Sequence, residues 1–150
     1  MSKNSRLLAT RDTFGLLFLV SNKIETIADR HLSRYKITTK QFFLSLVLIQ
    51  NRDKILTLTE VANLLGSSRQ NTKQLALKLE KIGFCKIRQD TNDKRSLNLE
   101  ATEKNIQFWK SIDKENEIFL KKIFENLNDK QITSFRSSLL SIHDHLKGEF

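Results

Sequence analysis

The 150-residue chain contains no proline and only four glycines, so very few positions can interrupt a helix. Proline breaks a helix because it lacks an amide hydrogen, and glycine weakens one because its unfolded backbone has high entropy. Leucine, isoleucine, lysine and asparagine are abundant in the rest of the sequence. We therefore expect a mainly α-helical protein in which glycines mark helix ends.

The charge of the chain is strongly basic and unevenly distributed. Lysine and arginine total 26 against 17 aspartate and glutamate residues, which gives a formal charge of +9 and a pI near 9.8. Between Ser67 and Arg95, eight basic residues exceed three acidic ones by five, so more than half of the net charge lies there. Such a charge favours a polyanionic partner, with nucleic acid as the leading candidate and an anionic membrane surface as the second.

Length and residue usage indicate one intracellular domain. A chain of this length is close to the commonest domain size, and we expect residues 1–150 to form a single domain. The single cysteine excludes an internal disulfide and fits a reducing cytoplasm. The longest apolar runs, LLFLV and FFLSLVLI, are far shorter than the roughly 20 residues that span a bilayer. The sequence therefore predicts a cytoplasmic protein with no membrane segment.

Two short helices joined by a glycine turn are predicted in the middle of the chain. Thr57 and Glu60 have capping-box spacing, in which each side chain bonds a backbone amide at a helix start. Gly66 ends that helix because glycine adopts left-handed dihedral angles at little cost. A second helix is expected to open with Ser67 and Gln70 at the same spacing. Two helices connected in this way are typical of a helix-turn-helix.

A small β-hairpin is predicted directly after the second helix. Apolar and polar residues alternate over 84–89 and again over 96–100, so these segments are expected to pair. The loop between them is expected to run from Asp90 to Arg95. Cys85 lies on the apolar side of the first strand, where a small buried hydrophobe is the expected role and a redox switch is the alternative.

The helices that flank this central region are rich in apolar residues. Over residues 10–32 apolar side chains cover nearly every side of the first half of the helix, so we expect a second subunit to cover part of it. A capping box at 38–41 opens the next helix. One long helix is expected from Thr102 onward, and a last helix is expected to be capped at 128–131.

The order of these elements resembles the MarR family of winged-helix transcription regulators. The resemblance is most specific over residues 56–102, LTLTEVANLLGSSRQNTKQLALKLEKIGFCKIRQDTNDKRSLNLEAT. This segment is similar to the family's recognition helix and to the following wing, whose tip here is Asp93, Lys94 and Arg95. The resemblance implies a mainly α-helical fold with a β-hairpin wing.

The same resemblance implies different roles for different segments of the chain. A winged helix-turn-helix lobe is expected at about 38–101, and dimerisation helices at about 6–34 and 103–147. The implied function is sequence-specific binding of double-stranded DNA by a homodimeric repressor of a palindromic operator, released by a small-molecule effector or an oxidant. The alternative is a protein-interaction module or antirepressor that keeps the fold without binding DNA.

Polar and basic side chains of the predicted recognition helix and wing suit contacts with DNA. Arginine offers a fork for guanine, and asparagine or glutamine can pair with adenine, whereas hydroxyls and lysine suit phosphates. In the wing, Asp93 is expected to orient Arg95 through a charge-assisted bond, so that the guanidinium enters a minor groove. The predicted DNA-binding residues are Ser67, Ser68, Arg69, Gln70, Asn71, Thr72, Lys73, Gln74, Arg88, Asp93, Lys94 and Arg95.

The features of an enzyme active site are missing from the sequence. It contains no glycine-rich phosphate loop, no paired histidine and cysteine, and no convincing carboxylate dyad. His143 and His145 lie two residues apart on a predicted helix and point to different faces, which argues against a shared metal site. We therefore expect neither enzymatic activity nor a cofactor or metal.

Overall fold

The computed structural model describes residues 3–91 and 93–149, and these residues are mainly helical. The chain divides into two compact units, one ending at Ser111 and the other beginning at Ile112. The first unit contains α1 (Lys3–Leu32), a 3-10 turn (Ser33–Tyr35), α2 (Thr39–Gln50), β1 (Leu56–Thr57), α3 (Leu58–Leu64), α4 (Arg69–Lys81), β2 (Cys85–Gln89), β3 (Leu97–Ala101) and α5 (Glu103–Ser111). The second contains α6 (Asp113–Ile123) and α7 (Asp129–Glu149). The predicted class, mainly α with a small β-hairpin, is confirmed.

A three-stranded antiparallel sheet has the order β1-β3-β2. The predicted hairpin is confirmed, with Cys85 paired to Ala101 and Gln89 paired to Leu97. The third strand, β1, pairs Leu56 with Leu99 and was not predicted. Its two residues are too few to show the alternation by which strands are recognised in a sequence.

Three helices are capped at their N-termini by the side-chain hydrogen bonds that the sequence predicts. The boxes at 38–41 and 57–60 are both complete, with the threonine hydroxyl and the residue three places on bonding each other's backbone amides. A backbone hydrogen bond from Thr57 lowers the pKa of the Glu60 carboxyl, since the bond favours the charged form. The box at 128–131 is confirmed, with Asn128 and Gln131 bonding each other's backbone amides.

The core of the first unit lies where α2, α3 and α4 pack on one another and on the sheet. Its largest enclosed side chains are apolar, and each contributes about 1.5 to 3 kcal/mol by leaving water. Those at or below 2% exposure include Leu44, Leu58, Val61, Leu79 and Leu99.

A buried polar network joins α2 to α5 within this core. The Ser45 hydroxyl donates to Asn105 Oδ1 at 2.6 Å and accepts from Trp109 Nε1 at 2.6 Å. Ser45 and Asn105 are 0% exposed, and Trp109 is 8% exposed. Because unsatisfied polar groups are costly in a core, this hydroxyl holds two side chains of α5 in a defined orientation.

The prediction of one long helix from Thr102 is wrong at a single point. The helix ends at Ser111, and the next begins at Asp113, because Ile112 has non-helical dihedral angles of −109° and 11°. No proline or glycine stands near this position, so neither residue that commonly breaks a helix marks it.

Among the described residues, exposed apolar side chains are most numerous in α1 and α7. In α1, Phe14, Phe18 and Leu19 are at least 60% exposed. In α7, Phe135 and Leu146 are 43% and 48% exposed. Contiguous exposed apolar residues of this kind mark interaction sites in soluble proteins. Within the described residues, no helix combines the length and apolar character needed to cross a bilayer.

Cys85 is enclosed in the first unit. Its side chain is 2% exposed, and burial raises the pKa of the thiol to about 12. A thiol that stays protonated is a poor nucleophile, since the thiolate is the reactive form. These properties favour the buried-hydrophobe interpretation over a redox switch.

The network around Ser45 predicts a large effect from removing one hydroxyl. In Ser45→Ala the Trp109 N–H and Asn105 Oδ1 lose their bond while staying buried, so the free energy of unfolding should fall by about 1 to 3 kcal/mol. Trp109 is the only tryptophan, so its fluorescence during urea unfolding measures the effect. Ser138→Ala, at an exposed position of α7, is the control. A loss below about 0.5 kcal/mol for Ser45→Ala would contradict the role of the network.

The raised pKa of Cys85 predicts slow alkylation of the folded protein. With the pKa above neutral pH, almost no thiolate forms between pH 7 and pH 9, and maleimide modification should be at least about 100-fold slower than in urea. Cys85→Ser combined with Lys54→Cys supplies an exposed reference thiol. Equal modification rates for Cys85 and this reference would show that Cys85 is accessible.

Candidate nucleic-acid interface

The predicted recognition helix, α4, is capped one residue later than expected. Ser68 is the N-cap, and its hydroxyl accepts from the Asn71 amide at 3.2 Å. The prediction that Ser67 caps the helix is therefore wrong. The Ser67 amide bonds the Ala62 carbonyl at 2.9 Å, so Ser67 belongs to the turn that closes α3. The turn is completed by Gly66, whose φ is +58°.

One face of α4 is buried and the other is exposed. Thr72, Ala76 and Leu79 are all 0% exposed and lie at helical spacing toward the core. The polar residues of the first turns are exposed, namely Arg69, Gln70, Asn71, Lys73 and Gln74. Thr72 cannot contact phosphates from inside the core, so its assignment as a DNA-binding residue is wrong. Its position four residues before Ala76 was the signal that the sequence offered.

The serines before α4 orient the side chain of Asn71. Asn71 Nδ2 donates to the Ser67 hydroxyl at 2.9 Å, while its backbone amide bonds Ser68. Ser68 is exposed and Ser67 is partly exposed. Two hydroxyls and one amide are thus gathered at the start of α4, where the amides of a helix N-terminus favour anions.

The loop of the hairpin, here called the wing loop (residues 90–91 and 93–96), is closed by two carboxylates. The Asp93 amide donates to Asp90 Oδ1 at 2.9 Å, and the Arg95 amide donates to Asp93 Oδ1 at 2.9 Å. The Asp90 amide bonds the Ser96 carbonyl at 3.0 Å. Asn98, which is 9% exposed, donates from Nδ2 to Asp90 Oδ2 at 2.8 Å.

These bonds correct the expected role of Asp93. Its carboxylate was expected to hold the Arg95 guanidinium, but it bonds the Arg95 backbone amide instead. In the part of the chain that the structure describes, no ion pair links the two side chains. Asp93 therefore shapes the backbone beneath Arg95. The contributions of Asp90 and Asn98 were not predicted, although an aspartate at the start of a turn is a recognised signal.

The wing loop is bonded directly to α4. Arg69 Nη2 donates to the carbonyl oxygen of Arg95 at 3.0 Å, across 26 residues of sequence. Both residues are exposed. The structure thus brings together the first residue of α4 and the tip of the wing.

The remaining wing cations differ in their surroundings. Arg88 Nε lies 3.7 Å from Glu100 Oε1, so part of its charge is offset. Lys94 and Arg95 are both exposed. The Lys94 carbonyl accepts a hydrogen bond from Gln89 Nε2. The side chains of Lys94 and Arg95 are therefore presented from a hydrogen-bonded backbone.

Acidic residues in this basic region are engaged with backbone amides. Glu80 Oε1 accepts from the Ile87 amide at 2.8 Å, and Asp90 and Asp93 bond amides of the wing loop. The carboxylates therefore stabilise local structure, and the exposed basic side chains of α4 and the wing give this face its positive charge. Among the described residues, no three histidine, cysteine, aspartate or glutamate side chains form a metal-ligand group.

Comparison with known sequences gives a partial match. No family model matches the chain. The chain is 34% identical over 71 residues to the transcriptional repressor MprA of Escherichia coli (strain K12). This match covers 47% of the chain and 40% of the repressor, so it spans less than half of either protein.

Comparison with solved structures covers most of the chain. A MarR protein from Peptoclostridium difficile matches with a TM-score of 0.77 at 24% identity, over 92% of this chain and 89% of that protein. MepR in the S. aureus MepR-DNA complex matches with a TM-score of 0.73 at 18% identity, over 87% of this chain and 95% of MepR. The chain therefore has the fold of the MarR-family winged-helix transcription regulators, as the resemblance of its central segment predicts.

Proposed function

We propose that the protein is a sequence-specific DNA-binding regulator that acts as a homodimer. The observation that carries the proposal is the exposed basic and amide face of α4, which is hydrogen-bonded to a wing that presents two further cations. The similar MprA is named a transcriptional repressor, and the similar MepR was solved as a DNA complex. Repression of transcription is accordingly the proposed outcome of binding.

The exposed face of α4 suits the major groove. This groove is about 12 Å wide and admits one helix. Gln70 and Gln74 lie four residues apart and so share a face, where their amides can pair with adenine. Lys73 and the hydroxyl of Ser68 suit phosphates at the groove edge.

The wing suits the neighbouring minor groove. Arg95 is exposed at the tip of the hairpin, and arginine is attracted to the negative potential of narrow A·T minor grooves. Lys94 adds a second charge for the phosphates. Binding by these side chains would release counterions, so affinity would fall steeply with salt.

The exposed apolar residues of α1 and α7 are proposed to pack against a second copy of the chain. Exposed phenylalanines such as Phe14 and Phe135 are costly in water and are usual in subunit interfaces. A twofold dimer would present two α4 helices to half-sites about 34 to 36 Å apart, which requires a palindromic operator. A cytoplasmic location stays a prediction from the single cysteine and the short apolar runs, and release by a small-molecule effector stays an implication of the resemblance.

The proposal predicts that Arg95→Ala weakens binding to duplex DNA and reduces its salt dependence. Loss of one cation that neutralises phosphate charge should lower the slope of log affinity against log salt by about one unit. Fluorescence anisotropy with a labelled duplex from 50 to 200 mM salt measures both quantities.

Arg52→Ala is the matched control, because it removes the same charge from an exposed position in the turn after α2. The control should retain the slope of the unsubstituted protein. An Arg95→Ala variant with unchanged affinity and slope would remove the wing from the mechanism. If the unsubstituted protein bound no duplex even at low salt, the antirepressor or protein-interaction alternative would replace the proposal.

A further inference from the structure

The wing loop has its own internal hydrogen bonds before any contact with α4 is considered. Asp90 bonds the Asp93 amide and the Asn98 side chain with its two oxygens, and Asp93 bonds the Arg95 amide. The Ser96 amide also bonds the Asp93 carbonyl at 2.8 Å. The backbone that carries Arg95 is therefore held from within the loop.

Two side chains of α4 then attach the hairpin to the helix. Glu80, near the end of α4, accepts from the Ile87 amide in the middle of β2. Arg69, at the start of α4, donates to the Arg95 carbonyl at the other end of the hairpin. The hairpin is thus held by α4 at the middle of β2 and at its tip. Of the two bonds, the one at the tip bears directly on the residue proposed to enter the minor groove.

The bond from Arg69 reaches the backbone of Arg95, and none of the described residues forms an ion pair with the Arg95 side chain. Because the carbonyl and the side chain share one Cα atom, fixing the carbonyl limits where the Arg95 guanidinium can go. A cationic donor makes a stronger bond than a neutral one. If the tip is already ordered in the free protein, less conformational entropy is lost when DNA binds.

We propose that Arg69 is a positioning residue. In the free protein it holds the tip of the wing against the start of α4, and it acts on DNA through Arg95. This inference rests on the proposed DNA-binding function and departs from the expected role of Arg69 as a reader of guanine. A reader of guanine would act on a base independently of Arg95. A positioning residue affects DNA binding only when the arginine side chain at position 95 is present.

The first test uses the free protein. Hydrogen exchange of the Ser96 amide, which bonds inside the wing loop, reports how firmly the tip is held. Arg69→Ala should accelerate this exchange by about threefold to tenfold, the range of one net hydrogen bond. Arg95→Ala is the matched control, since it keeps the carbonyl that Arg69 bonds, and its exchange should stay within about twofold of the unsubstituted rate. Unchanged exchange in Arg69→Ala would overturn the proposal.

The second test is a double-substitution cycle on duplex DNA. Arg69→Ala should weaken binding by about fivefold to tenfold in the unsubstituted protein and by less than about twofold in the Arg95→Ala background. If the double variant lost affinity by the product of the two single losses, the positioning role would be overturned. A change of base preference at a single base pair in Arg69→Ala would show instead that Arg69 reads guanine. If the unsubstituted protein bound no duplex, the proposed function would fail, while the exchange measurement would still decide whether Arg69 holds the wing.

Discussion

The arrangement of the candidate interface depends on the burial of one face of α4. Thr72, Ala76 and Leu79 are enclosed completely, and α4 packs through this face against α2 and α3. A helix that buries one stripe must expose the opposite one. The polar and basic residues at its start are therefore presented to solvent by apolar packing, and neither their charge nor a ligand is needed to orient them.

Several carboxylates in this basic protein accept hydrogen bonds from backbone amides. Glu60 caps α3, Asp90 and Asp93 close the wing loop, and Glu80 anchors β2 to α4. A carboxylate bonded to a backbone amide fixes geometry, and it also lies close to cations that would otherwise repel one another. This use of acidic residues explains how a segment with an excess of five positive charges contains a hydrogen-bonded loop.

Features set by neighbouring residues could be predicted from the sequence, and those set by distant contacts could not. The caps at 38–41, 57–60 and 128–131 involve residues three apart, so their spacing was informative. Ser67 and Ser68 both carry a hydroxyl, and only the closing turn of α3 decides between them. The bonds from Arg69 to Arg95 and from Trp109 to Ser45 span 26 and 64 residues, and no local pattern encodes such pairs.

We propose that α4 and the wing of two paired chains read a particular DNA sequence. Selection of bound fragments from a random duplex pool tests it most directly. The account predicts enrichment of an inverted repeat whose half-site centres lie one helical turn apart, about 34 to 36 Å, with A·T-rich flanks at the positions of the wings. Recovery of fragments with no shared sequence, or no recovery above background in dilute salt, would contradict it.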